Sequence, residues 1–302
     1  MMDNNFKNLQ AMCYGEILWD MLPEGPQPGG APLNVAYHLN KLGLVSAIAS
    51  RIGNDFAGYK LKELLAGWGI ASHLIQLDEK YPTSEVIAKM NNGNEVTYEI
   101  NYPVAWDFIE QNHLLTEAIN ASNYFIFGSL ASRNDLTRST LFRLLETDAI
   151  KVFDINLRPP FIEKNILRTL LEMADIVKFN QAELEMVQIL FQGSLGNEAS
   201  QVYYIMERFD VKEVLITKGE SGASYYKNDD VTHVRGTEVK VKDTIGSGDS
   251  FLAAFIANHH LMKNSESILK NAIAMGAFIA TKKGGCPEYR LEEYEKFKNE
   301  MF

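Results

Sequence analysis

The sequence predicts a doubly wound α/β fold: a mostly parallel sheet flanked by helices, with a small β excursion. Three observations predict it. Short apolar runs rich in β-branched and aromatic residues alternate with longer amphipathic stretches from about position 30 onward, the pattern of βαβ units. Two extended runs meet around an Asn-Gly pair and break that alternation early in the chain. The 302 residues contain no internal repeat, low-complexity tract or Pro/Ser-rich linker, so one domain spanning 1–302 is expected rather than two on a tether.

Strands are expected at residues 11–15, 45–50, 124–128, 151–155, 175–180 and 213–217, each a short apolar run. The amphipathic stretches at 31–42, 56–68, 135–146, 183–191 and 199–209 read as the intervening helices. The last third adds apolar helices at 250–260 and 265–281, then a charged C-terminal helix. Residues 84–90 and 95–102, joined by Asn91-Asn92-Gly93-Asn94, read as a hairpin. It is either a flap placed to cover a ligand or an antiparallel edge of the main sheet.

Composition narrows the partners. With 29 Lys+Arg against 39 Asp+Glu the net charge is −10, and no basic run concentrates positive charge, so neither nucleic acid nor an anionic membrane is an expected partner. Hydrophobic residues at 46% and charged residues at 23% fit a globular chain and exclude a disulfide scaffold or a disordered one. Two cysteines, Cys13 and Cys286, suit a reducing, cytoplasmic setting. The first residues show neither the basic start nor the apolar stretch of a signal peptide, and no run approaches the ~20 apolar residues of a membrane span.

Two glycine-rich turns carry the chemistry. Asp243-Thr244-Ile245-Gly246-Ser247-Gly248-Asp249 precedes an apolar helix; glycines at a helix start expose amides and the positive end of the dipole, an anion cradle. Asp249 would repel an anion unless it accepts a proton, as phosphoryl transfer to a hydroxyl requires; the alternative is a helix cap. Gly29-Gly30-Ala31-Pro32-Leu33-Asn34 opens the helix at 31–42. There the glycines allow close approach and Asn34 offers a donor and an acceptor for a polyol; the alternative is a loop entering a helix. Asp20 lies just beyond the first strand, where α/β sheets bind ligands, or is a solvated loop residue. Arg158 follows a strand and suits an anion, or is a surface arginine beside Pro159 and Pro160. Asn180 before Gln181-Ala182-Glu183 reads by itself as a helix N-cap with a nearby capping-box acid.

Together these stretches resemble the paired signatures of the ribokinase, or phosphofructokinase B, family of carbohydrate kinases, over nearly the whole chain from Gly15 to about Pro287. The resemblance implies a ribokinase-like fold with a β lid formed by about 16–30 and 83–105. It implies that Asp249 is the base that deprotonates a sugar hydroxyl and that the amides of Gly246, Ser247 and Gly248 stabilise the transferring phosphoryl group. Asp20, Gly29, Gly30, Asn34 and Arg158 would bind the sugar. Asn180, Thr217, Lys218, Gly219 and Gly222 would bind ATP, with Asn271 and Gly285 walling the adenine. Glu183 would organise Mg2+, and Asp243 with the backbone of Ile245 would surround a monovalent cation such as K+.

Finer features point within the family. Gly15-Glu16, Gly29-Gly30-Ala31-Pro32 and Asn156-Leu157-Arg158-Pro159 look most like the fructokinase branch. Tyr98-Glu99-Ile100-Asn101 lacks the arginine run associated with sugar acids, and Ser247 stands where the family often has alanine. Trp19 and Trp106 either shape the pocket or fill the core. His259-His260 forms no metal-ligand spacing and reads as solvated or C-terminal. No nucleophile elbow supports a hydrolase, and no Gly-x-Gly-x-x-Gly follows the first strand to support a dehydrogenase. The expected function is an ATP-dependent sugar kinase acting on a primary hydroxyl, fructose leading, and the resemblance and the hairpin's alternating faces suggest a homodimer through the lid. Alternatives are a nucleoside kinase of the same fold and a catalytically silent sugar- or nucleotide-binding regulator.

Overall fold

The computed structural model describes residues 6, 8–22, 25–90 and 96–302. The chain opens with β1 (Ala11–Tyr14), leaves the sheet through β2 (Leu18–Leu22) and β3 (Gly25–Gly29), and returns by α1 (Ala31–Lys41) to β4 (Ser46–Gly53). Helix α2 (Phe56–Gly67) leads to β5 (Ile75–Asp78), and a second excursion, β6 (Ser84–Met90) and β7 (Val96–Ile100), precedes α3 (His113–Ala121). Then follow β8 (Tyr124–Gly128), α4 (Asp135–Leu144), β9 (Ile150–Asp154), α5 (Lys164–Glu172) and β10 (Ile176–Asn180). Helices α6 (Gln181–Phe191) and α7 (Glu198–Phe209) lead to β11 (Glu213–Thr217) and the hairpin β12 (Ala223–Lys227) with β13 (Asp230–Val234). Helices α8 (Ser247–His260), α9 (Ser265–Ala280) and α10 (Leu291–Met301) complete the chain.

The main sheet runs β13-β12-β11-β10-β9-β8-β1-β4-β5. Strands β11 through β5 in that order are parallel, and β12 and β13 add antiparallel edges. Its strands are covered on both faces, which is why they read as continuous apolar runs. Ala11 and Cys13 enter the layer that holds Leu33, Leu252, Phe255 and Met275, and Met12 and Tyr14 enter the other, with Leu141, Leu170 and Val187. Strand order reverses at β1, which lies between β4 and β8, so a ligand crevice is expected beyond the C-terminal ends of these strands. Gly15, Gly53 and Gly128 stand at those ends, and Asp154, Asn180 and Thr217 at the same ends of β9, β10 and β11.

The second excursion is no edge of the main sheet. It joins the first in a separate sheet of order β3-β2-β6-β7, in which β2 and β6 pair in parallel and the flanking pairs are antiparallel. The expected turn Asn91–Asn94 lies outside the described residues. Trp106 is fully buried with Val104 and Leu130, a core role, whereas Trp19 is partly buried and its indole N–H donates to the Ala57 carbonyl at 3.0 Å. His259 is not solvated: its Nε2 pairs with Glu213 at 3.3 Å and its Nδ1 meets the Tyr124 hydroxyl at 2.8 Å. Among the described residues no helix is long and apolar enough to cross a membrane.

Candidate active site

Helix α8 begins where the glycine-rich turn is expected to bind an anion. Gly246 caps it with φ 73°, a left-handed conformation that glycine adopts without Cβ strain. A Cβ there would stand 2.6 Å from the Gly285 Cα. The Ser247 hydroxyl donates to the Gly276 carbonyl at 3.0 Å, and its amide closes on the Thr244 carbonyl at 3.3 Å. The amide expected to serve with those of Gly246 and Gly248 is thus engaged within the turn itself.

Asp249, one residue further, is partly buried and accepts a 2.7 Å hydrogen bond from the Asn34 amide on α1. The two signature turns therefore meet in space, although 215 positions separate these residues. Asn34 is itself buried, accepts from the Cys286 thiol at 3.2 Å, and is packed against Gly285, where a Cβ would approach its amide to 2.6 Å. Burial, then the charge of Asp154, pushes the Asp249 carboxyl up to about 6, against Asn34, Lys178 and Arg158, which pull it down.

Other carboxyls converge here. Asp20 on β2 lies over Gly29 on β3, so closely that any Cβ at Gly29 would collide with its Oδ2. Burial first, then Asp243 and Asp249, raises Asp20 to about 6. Glu16 is 3% exposed and is pushed by burial to about 7. Gly30 caps α1 with φ 106°, and a Cβ would strike the Glu16 carbonyl. Arg158 is exposed beyond β9, its guanidinium donating to the Leu157 carbonyl at 3.3 Å.

Glu183 and Asn180 form a capping box at the start of α6. The Glu183 carboxylate accepts from the Asn180 amide at 2.8 Å and the Leu157 amide at 3.1 Å. Asp243 likewise accepts from Ile245 N at 3.0 Å and Gly284 N at 2.9 Å. Among the described residues no group of three or more His, Cys, Asp and Glu forms a direct metal cage.

Beside the turn opens a cavity of about 260 Å³ that reaches Ser247 and Gly248. Thr217, Gly219 and Gly222 form one wall, and Val239, Val241, Ile273 and Ala277 give it apolar sides. Of the residues expected to bind ATP, Asn180, Lys218, Asn271 and Gly285 do not line it. Lys218 is drawn away into an ion pair with Glu198 at 3.2 Å and a hydrogen bond to Ser224. Asn271 donates to the Ser267 carbonyl at 2.7 Å and accepts from Lys298 at 3.1 Å. The face of α9 towards the cavity is Ile273, Gly276, Ala277 and Ala280, an i, i+3, i+4, i+7 stripe that leaves residue 271 on another side.

A family model described as pfkB family carbohydrate kinase matches residues 25–290. The chain belongs to the pfkB family of carbohydrate kinases. Fructokinase-2 of Solanum lycopersicum is 28% identical over 305 residues, covering 91% of this chain and 92% of that one. Fructokinase-1 of Oryza sativa subsp. japonica is 29% identical over 310 residues, covering 93% and 94%. The crystal structure of a fructokinase with bound ATP from Xylella fastidiosa matches with a TM-score of 0.84 at 22% identity, over 97% of this chain and 99% of that one. A Vibrio cholerae O395 fructokinase crystallised with fructose, ADP and calcium matches with a TM-score of 0.81 at 23% identity, over 96% and 99%. The fold is therefore ribokinase-like.

In this pfkB kinase two groups beside Asp249 stand outside the expected site residues. Lys178 donates to both oxygens of Asp154, at 2.8 and 2.9 Å, and both residues are buried. The signal for it was a lysine in a strand covered on both sides, which requires an internal counter-charge. Glu16, within the Gly15-Glu16 opening, has a buried Oε2 with no hydrogen-bond partner among the described residues.

Proposed function

We propose that this chain is an ATP-dependent sugar kinase that transfers the γ-phosphoryl group to a primary hydroxyl of a small sugar, with fructose the leading acceptor. The observation that carries the reading is Asp249 in the first turn of α8, oriented by Asn34 and next to Gly248, which borders the cavity. A silent binding protein has no use for a carboxyl so placed beside an anion cradle. The fructokinase names of relatives at 28–29% identity support the choice of sugar.

In the mechanism, Asp20 and Asn34 hold sugar hydroxyls and the sheet bearing Asp20 and Gly29 serves as the lid. The sugar hydroxyl loses its proton to Asp249 while its oxygen forms a bond to the γ-phosphorus. The bond from that phosphorus to the β-phosphate oxygen breaks, leaving ADP. The dipole and amides of α8 lie where negative charge is stabilised. Thr217, Gly219 and Gly222 would border the phosphates and the apolar walls the base. Magnesium keeps most of its waters and binds through few carboxylates and the nucleotide's own phosphates; with both Glu183 oxygens already held by amides, Glu183 and Asn180 fit it through water, and it would neutralise phosphate charge. Asp243 and the backbone of Ile245 would hold K+.

The raised carboxyl sets a pH dependence. A base must be ionised, so kcat/KM should fall about ten-fold per pH unit below about pH 6 and level off above it, given Asp249 near 6. Asp20 near 6 and Glu16 near 7 titrate in the same window, so the limb belongs to the group of carboxyls rather than to one residue. A profile flat down to pH 5 contradicts Asp249 as the base. For the sugar, kcat/KM over hexoses, pentoses and nucleosides with magnesium, with and without potassium, should be highest for fructose; a nucleoside in first place would replace this reading with a nucleoside kinase.

A further inference from the structure

The central sheet is covered on both faces, so a charge inside it needs a partner within the protein. Lys178 on β10 is 6% exposed and is bound by both oxygens of Asp154 at the end of β9. For stability alone such a pair is a poor choice, since apolar side chains of similar volume often do as well or better. It sits towards the C-terminal ends of two adjacent parallel strands, where a doubly wound sheet presents its ligand. It also borders α8, because a Cβ on Gly248 would stand 3.4 Å from Nζ. Asp249 and Glu183 are the other charges near it. An ammonium has three donors, and Asp154 accepts two.

We propose that Lys178 is a fixed cation of the phosphoryl-transfer site, braced by Asp154 so that its ammonium stabilises the charge gathering on the transferring group at the start of α8. The inference rests on the kinase reading above. As the sugar oxygen bonds to phosphorus and the bond to the ADP oxygen breaks, the proton goes to Asp249; Lys178 neither gains nor loses one. Charge spreads over the equatorial phosphoryl oxygens, and a cation already held in place needs no reorganisation to meet it. Arg158, exposed beyond β9, lacks that bracing.

Lys178→Met alone would strand the Asp154 carboxylate, so the informative variant is the neutral pair Asp154→Asn/Lys178→Met, checked for folding by circular dichroism. Calorimetry would compare its affinity for magnesium-ADP with and without aluminium fluoride, a mimic of the transferring group. We expect native-like affinity for ADP alone, loss of the extra tightness that fluoroaluminate confers, and kcat lower by about 10²–10³-fold with little change in sugar KM. A neutral pair that keeps native kcat and native fluoroaluminate affinity overturns the role and makes the pair structural. Should the neutral pair not fold, Lys178→Gln, which still donates to Asp154, carries the same two outcomes. A native chain that releases no ADP with any sugar overturns the kinase reading instead, so the two failures are distinguishable.

Discussion

Asp249→Asn is expected to lower kcat by about 10²–10⁴-fold, the range a general base supplies, while sugar KM changes little. Asparagine keeps the shape and can still accept from Asn34, so what is lost is the capacity to take the proton. The variant is also expected to be more stable than the native chain at pH 8. In the folded protein burial and Asp154 hold the carboxyl at about 6, above its usual 3.8. Ionising it therefore works against the fold: native stability declines as pH rises through that window, then stays level. Removing the charge should recover about 1–3 kcal/mol and raise Tm by a few degrees. A slow but more stable protein would separate loss of chemistry from loss of fold. A variant with native kcat would show that the proton goes elsewhere.

Gly246→Ala is expected to combine a kinetic and a structural loss. The residue has φ 73° and a Cβ would stand 2.6 Å from Gly285 Cα and 3.0 Å from its carbonyl, so backbone rather than a flexible side chain has to move. The left-handed strain is worth about 1–3 kcal/mol and the crowding about as much again. Displacement of Gly285 would be passed to Asn34, which packs on it, and from there to Asp249. We expect kcat to fall by about 10²-fold, as small misplacements of a reacting geometry do, together with a lower Tm. Unchanged kcat and Tm would mean that the 284–286 loop yields freely and does not brace the site.

The glycine-rich turns were legible because their chemistry is local: glycines, a helix start and a carboxylate or carboxamide within one turn. The alternation of apolar runs likewise disclosed the parallel core, since a strand buried on both faces has little choice of residue. What escaped depends on distant chain. Lys218 stands beside Gly219, but Glu198 on a preceding helix captures it. Asn271 lies on a helix whose cavity-facing stripe begins two residues later. The two excursions were read as lid segments, yet no local pattern announces that β2 pairs in parallel with β6. Strand β5 has only four residues, too few for a clear alternation, whereas α5 carries Leu167, Leu170 and Leu171 at helical spacing and was readable but passed over. The −10 charge would discourage an anionic ligand if spread evenly; oriented amides at the start of α8 and, on the proposal above, the Lys178 ammonium would give an acidic chain local donors for one.

The most direct measurement is ADP release by the native chain with ATP and magnesium, read before and after fructose is added, with the product identified by mass. Release should be negligible without sugar and then one ADP for each sugar phosphate formed, with the phosphate on a primary hydroxyl. No sugar-dependent ADP from any hexose, pentose or nucleoside would contradict the kinase reading and leave a binding protein in a kinase fold.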